Sequence, residues 1–115
     1  MIKIDYYSKY VPEPGIEYYN DDITFIIWEG YFDELFRAIT QSLPYEQYPI
    51  EFREYNDITG WKDDDTSTTI KPENTIVAIK RINKNHIMIG KEFIKDLNKF
   101  LTESSGKVIK IREYW

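Results

Sequence analysis

The run Ile23-Thr24-Phe25-Ile26-Ile27-Trp28 sets the tightest limit on what this chain can fold into. Five of its six residues are large and apolar, and β-branched and aromatic types dominate, so it reads as a central strand covered on both faces. A strand of that kind needs partners on either side and a layer packed over it. The flanking sequence offers both. Ile2-Lys3-Ile4-Asp5-Tyr6-Tyr7 alternates with period two, which predicts a half-buried strand, and Ile16 to Tyr19 suits a shorter one. Val11-Pro12-Glu13-Pro14-Gly15 and Asn20-Asp21-Asp22 separate these runs as turns.

After Trp28 the pattern changes to a helical one. Phe32, Leu35, Phe36 and Ile39 fall at i, i+3, i+4 and i+7, with Gly30 as a cap and Asp33 and Glu34 in the first turn, where the helix dipole favours acids. Pro44 disfavours helical angles at Leu43, so this helix is expected to end near Ser42. Ile50 to Tyr55 reads as alternation, with Ile50 and Phe52 inward and Glu51, Arg53 and Tyr55 outward, and predicts a strand. Thr66 to Ile70 suits an edge strand, and Thr75 to Ile82, rich in β-branched residues, predicts another strand. His86 to Ile89 suits a short strand paired back onto it. A second amphipathic helix follows Gly90, with Phe93, Ile94, Leu97, Phe100 and Leu101 as its stripe. Gly106 fits a left-handed stop, and Lys107 to Glu113 alternates again with Ile109 and Ile111 on one side. The expectation is an α+β fold, a single domain over residues 1–115, with a mostly antiparallel sheet and two amphipathic helices packed on it.

The residue inventory narrows the chemistry. The chain has no cysteine, which removes disulfides, thiolate metal sites and thiol nucleophiles together. His86 is the sole histidine, so a two-histidine metal site or acid–base pair cannot form, and no hydrolase triad has support. Val77-Ala78-Ile79-Lys80 matches the lysine strand of protein kinases, but the glycine-rich loop and acidic metal ligands that give that lysine its role are missing. Asp63-Asp64-Asp65 lacks the alternating spacing of a calcium loop. Glu51 and Glu54, on the strand assigned above, would point to opposite faces and could not work as a pair. These readings predict no enzyme, no metal site and no cofactor. No stretch has the length and apolarity of a signal peptide or membrane span, which predicts a cytoplasmic protein.

Charge is distributed unevenly. The net charge is −5, yet residues 1–70 carry 15 Asp and Glu against 5 Lys and Arg, and residues 71–115 carry 5 against 10. The acidic portion repels nucleic acid and steers basic proteins toward itself. Its centre is Glu54-Tyr55-Asn56-Asp57-Ile58-Thr59-Gly60-Trp61-Lys62-Asp63-Asp64-Asp65, with a turn at Thr59-Gly60 and a large aromatic among carboxylates. Trp and Tyr are favoured anchors at protein interfaces, and acids beside them supply steering. The candidate partner-binding residues are therefore Glu54, Tyr55, Asp57, Trp61, Asp63, Asp64 and Asp65.

A small, acidic, cysteine-free, Tyr- and Trp-rich α+β chain with an acidic aromatic loop resembles the immunity proteins of bacterial toxin–immunity systems. The resemblance is one of overall character and aligns no motif. It implies a cytoplasmic, non-enzymatic protein that binds and neutralises a cognate toxin, a basic nuclease above all, by setting carboxylates where substrate phosphates would sit. The other reading is a different acidic protein-binding module, such as a phage-encoded inhibitor that mimics DNA or a subunit of an assembly. Neither reading calls for nucleic acid or membrane as a partner, and both leave the oligomeric state open.

Overall fold

In the computed structural model, which describes residues 2–58, 67–87, 91–104 and 106–114, a five-stranded sheet is packed against four helices. The strands are β1 (Ile2–Tyr6), β2 (Gly15–Tyr19), β3 (Ile23–Trp28), β4 (Thr68–Thr69) and β5 (Lys110–Tyr114). The helices are α1 (Glu29–Ser42), α2 (Ile50–Ile58), α3 (Pro72–Arg81) and α4 (Lys91–Glu103). The spatial order is β1-β3-β2-β5-β4. β1 runs parallel to β3, and the other neighbours are antiparallel, so the sheet is mixed.

The run that opened the sequence argument behaves as its composition requires. β3 lies between β1 and β2 and is buried from Thr24 to Ile27. Pairing of Phe25 with Tyr18 and Ile4, and of Tyr18 with Ile111, puts these side chains on one face of the sheet. That face contributes Ile16, Tyr18, Phe25, Ile27 and Ile111 to a core shared with all four helices, through Leu35 and Ile39, Phe52, Ala78 and Ile79, and Leu97 and Phe100. The opposite parity places Glu17, Thr24, Ile26 and Arg112 on the other face.

α1 and α4 follow their stripes. Phe32, Leu35 and Ile39 are fully buried on α1, and Phe93, Ile94, Leu97, Phe100 and Leu101 are buried on α4. α1 starts at Glu29 with Trp28 as its cap, two residues ahead of the expected cap Gly30, and ends at Ser42, with Leu43 extended before Pro44. Gly106 takes φ +84°, the left-handed conformation that glycine adopts without a Cβ clash.

The two-helix expectation fails at two segments. Ile50–Tyr55 belongs to α2, because Pro49 offers its carbonyl to the amides of Phe52 and Arg53 and starts a helix there. On a helix Phe52 is buried while Ile50 turns outward, 39% exposed, where a strand would have put them on the same side. Thr75–Ile82 likewise falls in α3 up to Arg81, with Pro72 at its first turn and Lys80 and Arg81 in its last. Thr75, Ala78, Ile79 and Ile82 are the buried positions, at i, i+3, i+4 and i+7. Of the expected strand His86–Ile89, His86 lies in a 3-10 turn over Lys84–His86, and Met88 and Ile89 lie outside the described residues. Of the expected edge strand, Thr68–Thr69 pairs with β5 at the sheet's margin, and Thr66 lies outside the described residues.

Candidate functional site

α2 carries three chemically distinct side chains in three directions. Pro49 fixes its start, and Phe52 anchors it by stacking on Phe32 of α1, ring centroids 4.7 Å apart and almost coplanar at 4°. That anchor sets Glu51 beneath the helix, against the sheet. Glu51 is fully buried, and its Oε2 accepts hydrogen bonds from the Tyr18 hydroxyl at 3.0 Å and the Thr75 hydroxyl at 2.7 Å. Its Oε1 is buried without a partner. Burial pushes the carboxyl up to about 7, against the opposing pull of those hydrogen bonds, and the nearby Glu54 charge adds to the rise.

The Glu51–Glu54 pair is thus a correction to the sequence reading. On a strand the two point apart; on a helix three residues apart they become neighbours. Glu54 is half-buried and accepts from the Thr68 hydroxyl of β4.

Tyr55, one residue on, packs edge-on against Phe32 at 5.1 Å and Phe36 at 5.0 Å and donates its hydroxyl to Glu29 Oε1 at 3.2 Å. Burial raises its ionisation well above the usual tyrosine range, and the Glu29 and Asp33 carboxylates raise it further. Of the two sequence-derived candidates on α2, Tyr55 therefore sits beside acids of α1, and Glu54 is tied to β4. Asp57 falls within α2. Trp61, Asp63, Asp64 and Asp65 lie outside the described residues.

Sequence reasoning missed Glu29 and Asp33 as companions of Tyr55, and it missed Glu51. Reading Pro49 as a helix start, with Phe52 and Tyr55 at i and i+3, would have found all three. It also missed an aromatic cluster at the start of α1. Tyr10 stacks on Trp28 with centroids 4.2 Å apart, and Tyr31 meets both rings edge-on. The Tyr10 and Tyr31 hydroxyls share a 2.6 Å hydrogen bond, and that bond is the main reason Tyr31 ionises only at about 12. All three rings are half-buried, as expected of amphipathic side chains at a surface.

Among the described residues no group of three or more His, Cys, Asp or Glu has a metal-binding arrangement, and no helix is long and apolar enough to cross a membrane. Comparison with family models, with curated proteins and with solved structures finds no match.

Proposed function

We propose that this chain is a cytoplasmic, non-catalytic inhibitor of the immunity-protein kind, which neutralises a basic protein toxin through acidic and aromatic residues of α1, α2 and the 57–65 sequence. The observation that carries the reading is the cluster of Tyr55 with Glu29 and Asp33, in which one aromatic ring is tied to two carboxylates a few residues before the Trp61 and Asp63–Asp65 sequence. A tyrosine fixed in this way loses little side-chain freedom on binding, and the carboxylates around it attract cationic partners over a distance set by ionic strength.

The test is co-expression. The C-terminal domain encoded by the neighbouring open reading frame is produced in a bacterium with and without this chain, and survivors are counted. Rescue is expected, and it should be lost when Trp61→Ala is combined with Asp63→Asn, Asp64→Asn and Asp65→Asn. Rescue that survives those four changes and Glu54→Lys together would remove the proposed surface. A neighbour that is harmless, or that kills regardless, would overturn the toxin reading in favour of another acidic inhibitor.

A further inference from the structure

Acidic residues gather on α1 and α2, and a group of lysines gathers elsewhere. Between α3, the 3-10 turn at Lys84–His86 and α4 is a groove of about 340 Å³. Lys80, Lys84, Lys91 and Lys95 ring it, and among the described residues no acidic one lines it. Its floor is Ile79, Ile87 and Ile94, each at least 94% buried. Among the described residues none of the four lysines is ion-paired: the three salt bridges there belong to Arg37, Lys107 and Arg112.

Four cations around one apolar floor raise each other's energy, and in a chain of net charge −5 the nearest relief is an anion held between them. Asn98 completes the wall beside the lysines. A concave, mainly apolar site with a few converging polar groups is the usual form of a small-molecule pocket, and this volume lies at the small end of that class.

We propose that the α3–α4 groove binds a small anionic amphiphile, a carboxylate- or phosphate-headed molecule whose apolar tail lies on Ile79, Ile87 and Ile94 while the lysines hold its head. Nucleic acid fits less well, because phosphate contacts need a basic track and no apolar floor. The proposal does not depend on toxin binding, which uses the opposite charge on other helices.

The probe is octanoate, titrated into the full chain and followed by amide chemical shifts, with 1-octanol as the uncharged control and acetate as the tail-less one. Saturable shifts confined to α3 and α4 are expected for octanoate, with binding at least about tenfold weaker for either control. Lys84→Glu with Lys95→Glu should weaken octanoate binding by about tenfold or more, because each change replaces an attraction with a repulsion. Both lysines are exposed, so the variant keeps its fold, which its circular dichroism checks. Failure to saturate at millimolar octanoate, equal binding of 1-octanol, or indifference to the double charge reversal would overturn the proposal. Lysine-dependent binding of a DNA duplex or of anionic lipid vesicles without octanoate binding would overturn it as well. Toxin neutralisation by the same variant is expected to persist, which separates a failure here from a failure of the toxin reading.

Discussion

Two glutamates are buried in this molecule, one on each side of the sheet, and they are handled in opposite ways. Glu17 on β2 is 5% exposed and is matched with a cation: Arg112 Nε of β5 donates to its Oε1 at 2.6 Å, and the Thr24 hydroxyl donates to its Oε2. Arg112 also lies over the Tyr19 ring, 4.2 Å from its centre, and the Glu17 hydrogen bond raises its own ionisation. Glu51 on α2 is fully buried with two hydroxyl donors, an unpartnered oxygen and a second carboxylate nearby. The first carboxylate is a cross-strand tie between β2, β3 and β5. The second is held close to half-protonated at neutral pH, so its charge depends on conditions. A buried acid with a cation beside it is part of the scaffold; one without is a proton-binding group.

The largest effect expected from this contrast is in the pH dependence of stability. Glu51 ionises at 4.5 in an ordinary setting and at about 7 in the fold, so between those values the folded chain binds a proton that the unfolded chain has released. The stability that goes with this proton is fully present below 4.5 and is lost as pH rises through about 7. The difference corresponds to roughly 3 kcal/mol as an upper figure. Urea denaturation across this pH range should show the decline in the native chain and a flatter profile in Glu51→Gln, which cannot ionise. A decline of equal size in both chains would assign it to other groups. The comparison is next broken from the sheet side. Arg112→Ala leaves Glu17 buried without its cation and should cost about 1–2 kcal/mol, a buried-pair penalty reduced because the arginine is half exposed. Arg112→Lys should recover part of it, since a cation returns without the planar fork.

Thr75→Val should cost about 1 kcal/mol at pH 8, where Glu51 is charged and needs its donor, and less at pH 5, where it is neutral. A cost that is the same at both pH values would mean that the hydroxyl serves packing alone.

The strands around Glu17 were legible in the sequence and the helix that carries Glu51 was not, for a physical reason. β1 and β5 alternate in sequence, and β3 is a continuous apolar run that is buried at both parities, so their strand character follows from the residues themselves. α1 and α4 are long enough for their apolar stripes to repeat over three turns. α2 and α3 are shorter, and their sequences satisfy both periods. Ile50-Glu51-Phe52-Arg53 alternates as well as it spirals, and Thr75-Ile76-Val77-Ala78-Ile79 has the β-branched content of a strand. Their helical start is written in Pro49 and Pro72, and tertiary packing of Phe52 on Phe32 and of Ile79 in the core decides the rest. The error then carried into the site. With Glu51 and Glu54 assigned to opposite faces, the carboxyl pair was excluded, and Tyr55 was separated from Glu29 and Asp33. Glu54 and Tyr55 remained candidates because their residue types, acid and aromatic, did not depend on the period.

The smallest effect separates burial from charge at Glu51. Glu54 is the last and weakest of the influences raising or lowering its ionisation, acting as a like charge one helical turn away. Glu54→Gln removes that charge but keeps an oxygen to accept from Thr68. With the repulsion gone, the charged form of Glu51 becomes easier to reach, so the midpoint of the stability decline should move to lower pH. Burial is unchanged, so the move should be a fraction of a pH unit and worth less than about 0.5 kcal/mol. Raising the salt concentration should shrink the same displacement in the native chain, since Glu54 is half exposed and its field is screened. A midpoint that falls all the way to the ordinary 4.5 would instead make the carboxylate pair, and not the buried setting, the source of the proton affinity of Glu51.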